Sequence, residues 1–574
     1  MKRLLFSLLI VMLPILAIHA EDEVPKTLKT ALIPSQYDRN AITVVVLDNH
    51  CNYIADIREA TPHILITEKY DDNLVDMRLL RAAADADDDA ILEAVNASAL
   101  GNQIIAKWFN RAQDGSFDMA VIAERGMYNA TVEDMILASA SKLGMDNIRD
   151  AGQALVENSY ILVLSFHDVM SMEEYYDEID ANARAKARRS GEQFSPTSRT
   201  KNGWKADVRS FLFKIDPAFS DVLFNELWIY EDDSPAVKAE KKALFENTRF
   251  GFSYVMEGMA TTEGTQNNPS KLTGLPVQKS REELFTLLLN TSVHSSLESY
   301  ESAYEAFRVK TPLYATKPIR VKVGTKEGLT IDQRFYVYET VMKKNNDLAS
   351  KKRGVVNVKK VANNSAVASL ETDAPMSRFY QVSGKKLEPG MTLQQRNAAG
   401  IGLSLGGAFG GLDGLYVKGE FNTATLNQFV PGTKSVISVS QLKIFAEGAF
   451  SEEQYRGSTY TFTRFHIGIS KGFYFMRNFS LAPFLAYGAE AAEESSDTTG
   501  KKISGDFFTP GAYLSMNLFG NLQLVLTYQY HIPVGNAYWT YDDDTPSENT
   551  GYPYTYYFYD REGQGIELGL RFEF

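Results

Sequence analysis

Residues 566–574 read Ile566-Glu567-Leu568-Gly569-Leu570-Arg571-Phe572-Glu573-Phe574. Side chains alternate across a β-strand, so this stretch puts only hydrocarbon on one face and Glu, Gly and Arg on the other. A helix would repeat its apolar positions every three to four residues, and a loop has no reason to repeat them at all. The segment predicts a strand with one face in oil.

The alternation recurs upstream. Leu522, Leu524, Leu526, Tyr528 and Tyr530 oppose Gln523, Thr527, Gln529 and His531, and Phe465, Ile467 and Ile469 oppose Arg464, His466 and Gly468. Eight such segments are expected, near 399–409, 414–424, 438–450, 459–472, 479–491, 503–518, 521–532 and 563–574. Each is close to the ~9–11 residues that a tilted strand needs to cross a bilayer. A single alternating strand would fit a soluble β-sandwich equally well; eight in succession ending on Phe574 predict a closed transmembrane barrel. In the second half the connections 472–478 and 520–521 are short, whereas 490–502 and 534–563 are long, the asymmetry of outer-membrane barrels. In the first half the pattern is less regular, with a tight 411–414 and a long 421–438. Phe473, Tyr474 and Phe475, and Tyr538, Trp539, Tyr552, Tyr554, Tyr556, Tyr557 and Phe558, are expected in interfacial girdles.

Parity then assigns the interior. Lys418, Glu420, Lys443, Glu447, Arg464, His466, Glu490, Glu567, Arg571 and Glu573 should face inward. About eight strands leave room only for side chains, so these charges should pair across a salt-bridged lumen. Phe572 and Phe574 should face lipid.

The other end of the chain agrees with export. Met1-Lys2-Arg3, an apolar run from Leu4 to Ile18 broken by Pro14, and Ala20 before Glu21 have the form of a cleaved signal peptide. No later apolar run approaches the ~20 residues of a membrane helix. The only cysteine, Cys51, is too far from the cleavage point to carry a lipoprotein anchor and leaves no disulfide framework. A net charge of −13 speaks against nucleic acid as a partner and against simple adsorption to anionic lipid. At 574 residues several domains are expected.

Between these ends, Ile42–Leu47 is a buried-strand pattern. Leu100, Ile104 and Trp108 have helical spacing, Phe117, Met119 and Val121 suggest a strand, 132–143 and 148–156 suggest helices, and Ile161–Leu164 suggests a strand. This order predicts a layered α/β unit. Residues 281–307 suggest a bridging helix, followed by short strands at 319–323, 335–340, 354–361, 365–370 and 390–393.

Two resemblances sharpen this outline. The run IIAKWFNRAQDGSFDMAVIAERGMYNATVEDMILASASKLGMDNIRDAGQALVENSYILVLSF (104–166) resembles the CsgG family of curli secretion proteins and its TolB N-terminal-like relatives. In that family a helix, a strand ending in Glu-Arg, and two helices leading to a strand occur in this order, and 211–216 with 222–229 would be its strand-turn-strand. The likeness spans about 38–260, without the family's lipoprotein cysteine. That family builds its pore from amphipathic hairpins; the insertion here, Ser171–Ser210, is charged throughout and predicts a solvated helix and loop. Residues 398–574 resemble OmpA/OmpX-like small barrels, whose terminal aromatic is read by the outer-membrane assembly machinery; the resemblance implies that Phe572 and Phe574 form this C-terminal assembly signal. The expected organisation is therefore multidomain: a signal peptide (1–20), a periplasmic α/β CsgG-like domain (21–280), a helical connector (281–310), a small SH3-like β domain (311–397) and an eight-stranded antiparallel transmembrane β-barrel (398–574).

Two stretches imitate motifs of catalysis and metal binding. Gly402-Leu403-Ser404-Leu405-Gly406 matches the serine-hydrolase pattern but lies inside an alternating strand, where a strained strand-to-helix elbow is required. Asp85, Asp87 and Asp89 open like an EF-hand, yet Ala90 and Asn96 stand where Gly and Glu are needed. The histidines never fall at metal-ligand spacing. With no catalytic, cofactor or metal residues identified, the expectation is a non-enzymatic outer-membrane protein of a Gram-negative bacterium. Its barrel would be a closed anchor, with residues 21–397 in the periplasm as a binding or assembly region. The expected partners are outer-membrane lipid, the assembly machinery, an unidentified periplasmic protein and, in a homo-oligomer, a second copy of the chain. The alternative is a component of a CsgG-like secretion or transport assembly.

Overall fold

The computed structural model describes residues 39–73, 75–82, 86–121, 153, 156–268, 278–342, 348–364, 375–410, 413–429, 437–496, 501–540 and 547–574. The signal-peptide reading, most of the two helices expected over 132–156, Asp85 and the strand expected at 365–370 fall outside them.

The first unit is built on β1 (Ala41–Asp48), whose eight residues are all buried. A strand buried on both faces loses its alternation and becomes a continuous apolar run, as here. The short β2 (Asp71–Asp72) and β3 (Leu79–Arg81) and the long β4 (Ser159–Ser171) pair with β1 in parallel. β5 (Lys201–Ile215) and β6 (Phe252–Asn267) continue antiparallel, giving the order β2-β1-β4-β5-β6 with β3 also on β1. One face packs on α2 (Asp88–Ala97) and α3 (Leu100–Trp108), following α1 (Ile54–Ala60), which lies on the other face. α4 (Met172–Ser190) opens with a Ser171/Glu174 capping box and buries only Met172, Tyr176 and Asp180, so it is a solvated projection. α5 (Pro235–Asn247) completes the first face.

Three expectations change. Phe117 is in a loop, stacked on Trp228 at 5.4 Å, and no strand runs through 117–121. Residues 219–227 are helical, because Phe219, Leu223, Phe224 and Leu227 share one buried helical stripe; the strand that follows β5 and pairs with it antiparallel is β6 instead. Helix α6 (Arg281–Ala303) is no connector: Leu284, Phe285, Leu288, Leu289, Val293, Leu297 and Tyr300 are buried along it, most of them in the same core as Ile42, Val44 and Leu162. It approaches β6 so closely that a Cβ on Gly264 would stand 2.6 Å from Leu288 N.

The second unit is one seven-stranded sheet. Its strands are β7 (Lys310–Pro312), β8 (Ala315–Thr316), β9 (Ile319–Val321), β10 (Arg334–Met342), β11 (Leu348–Lys360), β12 (Ser377–Gly384) and β13 (Thr392–Arg396). They are ordered β7-β13-β10-β11-β12-β9-β8, an open path among the described residues, around Val321, Phe335, Val337, Val356, Phe379 and Leu393.

The third unit closes on itself. Eight long strands, β14 (Ile401–Gly410), β15 (Gly414–Asn422), β16 (Leu442–Tyr455), β17 (Ser458–Lys471), β19 (Phe479–Glu494), β20 (Lys502–Phe519), β21 (Leu522–Thr540) and β23 (Gly563–Glu573), pair antiparallel around a ring. The β14–β23 and β17–β19 ladders close it. The small β18 (Phe473–Met476) and β22 (Glu548–Asn549) add to β19 and β21. The loop asymmetry is weaker than expected. At the end carrying Ile401 and Phe574, here the near end, the connections are 423–441, 472–478 and 520–521; at the far end they are 411–413, 456–457, 495–501 and 541–562. The far-end hairpin at Arg456-Gly457 is a two-residue turn, both residues having positive φ, 51° and 89°. Among the described residues no helix is long and apolar enough to cross a membrane.

Candidate functional site

The barrel sorts its side chains by parity. Leu405, Leu415, Phe465, Ile467, Leu485, Tyr528 and Phe572 are among many apolar residues on the outside, and Phe574 is 58% exposed there. So large a continuous apolar surface has no place in water. Lys418, Glu420, Lys443, Glu447, Arg464, His466, Glu490, Glu567 and Arg571 are buried in the lumen, and the Glu573 side chain lies at its near mouth, 13% exposed.

The interior charges are arranged in tiers. At the near mouth Arg571 holds Glu420 at 2.8 Å, and Lys443 lies 3.0 Å from Glu573 and 3.7 Å from Glu420. Arg571 also donates to Gln523 Oε1 at 2.8 Å and to Ser515 Oγ at 3.0 Å. Above this, the Lys418 ammonium sits over Phe445, Tyr513 and Phe484 at 4.0, 4.8 and 5.1 Å, with Glu447 3.8 Å away. At mid-barrel Arg464 lies between Glu447 (3.8 Å) and Glu567 (3.5 Å), His466 is 3.5 Å from Glu447, and Gln529 donates to Glu567 at 2.5 Å. Ions taken this far from water persist only with partners on hand.

The far end is sealed by its own loop. Tyr554 and Phe558, which the sequence suggested for a girdle, are buried with Tyr455, Phe462 and Phe507 inside the wall formed by the strand ends. Direction accounts for the difference: strand parity says which way a strand residue points and nothing about a loop residue. Arg561 follows them in, bonding Glu490 at 2.6 and 2.9 Å and Glu453 at 2.8 Å. Glu490 therefore pairs with a loop arginine that strand reasoning could not find.

The near end is sealed by the middle sheet. Arg334, the first residue of β10, reaches Glu573 at 3.2 Å and Asn521 at 3.4 Å. Asp332, held at φ 62°, accepts from Asn422 Nδ2, the Gln441 backbone N–H and the Tyr380 hydroxyl. Burial pushes the Asp332 carboxyl above its ordinary range even with these donors. Tyr380 stacks on Tyr474 at 5.0 Å, and Asn517 donates to the Val382 carbonyl. The polar cavity left at this junction is only about 30 Å³, room for one or two water molecules.

Ser404 faces this lumen from mid-strand, in register with Lys418 and Arg571, and so is not at an elbow. Among the described residues no cluster of three or more His, Cys, Asp or Glu could hold a metal ion.

No protein-family model matches the chain, and no curated protein does. Solved structures do. A major outer membrane protein from Thermus thermophilus is 12% identical, with 30% of this chain and 98% of that one covered and a TM-score of 0.20. Ail, the attachment invasion locus protein of Yersinia pestis, is 16% identical over 30% of this chain and 95% of its own, with a TM-score of 0.18. The outer membrane protease OmpT from Escherichia coli is 9% identical over 46% and 97%, with a TM-score of 0.14.

Proposed function

We propose that this is an outer-membrane protein whose barrel is a sealed anchor and whose remaining residues form a periplasmic, non-enzymatic binding or assembly module. The observation that carries the reading is the double seal: Tyr554, Phe558 and Arg561 fill the far mouth while Asp332 and Arg334 close the near one. A barrel blocked at both mouths and ion-paired between them has no route for solute. Its apolar exterior and the ring without edge strands are what a strand-built membrane span requires. An even number of strands puts residues 39–397 on the side of Phe574, which this reading takes as the periplasmic side. Purified protein in planar bilayers should show no steady conductance, and protease added to intact cells should spare the α/β unit until the outer membrane is opened. Large reproducible channels, or cleavage in intact cells, would refute the reading.

A component of a CsgG-like secretion or transport assembly is the second reading. What supports it is the α/β unit itself, a mixed sheet with helices on both faces, in the segment that resembles the CsgG family. Such a ring would supply its own pore, and cross-linking in intact cells would capture it as an oligomer; a cross-linked partner of another sequence supports the anchor reading.

A further inference from the structure

The rim of the near mouth carries a cleft that neither sealing nor anchoring explains. It measures about 400 Å³ and lies between the β8–β9 edge, the end of β12 and the turn holding β18. Lys317, Lys386 and Arg477 line it, and no acid does. Each is exposed, and among the described residues none forms an ion pair. The neighbouring Glu388 is exposed and lies outside the lining.

The sheet beside the cleft repeats the imbalance. Lys360, Arg378 and Arg320 stand directly opposite one another on three adjacent strands. Like charges at such positions repel. Arg378 neighbours the buried Phe379 and so shares the face of Tyr380, the ring that stacks on Tyr474 of the barrel. In a chain of net charge −13 such a gathering of cations is no consequence of composition. It calls for an anion.

The other wall is apolar. Phe475 and Met476 line the cleft and are 54% and 60% exposed, continuing the outward belt of Phe465, Ile467 and Ile469 past its last row. Cations on one side and hydrocarbon on the other, at the level where the barrel leaves the bilayer, match one chemistry. We propose that this cleft binds an anionic phospholipid of the leaflet at the near end. Its phosphate would lie among Lys317, Lys386 and Arg477, and an acyl chain would run along Phe475 and Met476. The proposal rests on the membrane reading of the barrel. Clusters of basic residues bordering a membrane span are a recurrent means of holding lipid headgroups, and the volume suits one headgroup.

The test uses the full-length protein reconstituted into nanodiscs of phosphatidylethanolamine, alone or mixed with phosphatidylglycerol, then extracted into detergent and analysed by native mass spectrometry. The wild type should retain phosphatidylglycerol in preference to phosphatidylethanolamine. The triple variant Lys317→Ala/Lys386→Ala/Arg477→Ala should bind it on the order of a hundredfold more weakly, about fivefold for each cation. Phe475→Asp should also lose the lipid, and excess inorganic phosphate should not displace it. Equal retention of the two lipids, undiminished retention by the triple variant, or displacement by inorganic phosphate would overturn the proposal. A barrel that inserts and is heat-modifiable but shows no preference sinks this proposal alone, whereas a barrel that enters no bilayer sinks the membrane reading beneath it.

Discussion

Replacing Arg561 by alanine tests whether the far-end loop is part of the barrel's structure. The Arg561 and Glu490 side chains are 3% and 1% exposed. Removal of the guanidinium deletes three bonds, at 2.6, 2.9 and 2.8 Å, together with a contact 4.2 Å from the centre of the Phe462 ring. Among the described residues Glu490 keeps only the Tyr554 hydroxyl, at 3.1 Å. Breaking a buried pair in this way costs about 3–5 kcal/mol, mostly for the stranded carboxylate, whereas an exposed pair contributes ~0–1 kcal/mol. The exposed Arg456, whose side chain among the described residues reaches only the Tyr556 carbonyl at 3.4 Å, is the control; Arg456→Ala should shift stability by less than about 0.5 kcal/mol. Urea titrations in phosphocholine vesicles, scored by the heat-modifiable gel shift, give the free energies by linear extrapolation. The double variant Arg561→Met/Glu490→Gln leaves no unpaired ion in the sealed interior, only the partly exposed Glu453, which keeps the Tyr455 hydroxyl, and should recover more than half of the loss. A loss under about 1 kcal/mol for Arg561→Ala, or a double variant no better than the single, would refute the account.

Further outcomes are expected. Residues 21–310 expressed alone should be soluble and melt cooperatively, whereas 21–280 should aggregate, because removing α6 bares Ile42, Val44, Leu162 and Leu164; solubility of the shorter fragment would show that α6 is dispensable. Deleting Phe574 should lower the amount of heat-modifiable barrel in the membrane with little effect on the stability of what assembles, since the Phe574 side chain is 58% exposed; unchanged levels would count against an assembly signal. His294 lies 3.0 Å from Glu298, and this contact raises its pKa. The contribution, under about 1 kcal/mol, should be complete below the unfolded value of about 6.5 and vanish as pH rises through the raised folded value. Melts of wild type and His294→Gln should therefore differ near pH 5.5 and converge by about pH 8.5; a constant difference would contradict the pairing.

How much of this was legible varies with the physical signal. The barrel strands could be read because each residue faces either hydrocarbon or a polar lumen, the largest contrast alternation can carry, and parity alone puts Arg464 and Glu567 inside. The helical turn over 219–227 was misread because a short apolar run fits a buried strand as well as a buried helix. Strand β6 is not legible because the face covered by α6 carries the small residues Gly258, Ala260, Thr262 and Gly264 while Glu257, Met259 and Thr261 face out, so burial alternates along it and hydrophobicity does not. Helix α6 could have been placed: Leu284, Leu288 and Leu289 recur at helical spacing, and only its position between two units suggested a connector. No sequence signal joins Arg561 to a glutamate 71 positions away or Arg334 to one 239 away, since such pairs exist only once the chain has closed.

Those two arginines also show why the barrel and its neighbours form one structure. The lumen residues on the strands comprise the glutamates Glu420, Glu447, Glu490, Glu567 and Glu573 against the cations Lys418, Lys443, Arg464 and Arg571, an excess of acid. Arg561 comes from the far loop to Glu490, and Arg334 comes from the middle sheet to Glu573. The second of these has a mechanical consequence. Only residues 397–400 separate β13 from β14, and Arg334 is fixed at its base by Phe335 and Val337 in the core of the sheet. To swing away from the barrel, the sheet would have to withdraw Arg334 from Glu573 and strip Asp332 of its donors, each a buried polar group whose desolvation is then uncompensated. The α/β unit is tied in turn to the sheet unit by Arg39 on Glu327 at 2.7 Å. A module presented this way keeps a fixed height and orientation relative to the barrel, so the partner proposed for it would meet a preorganised surface and lose less conformational freedom than on a flexible tether.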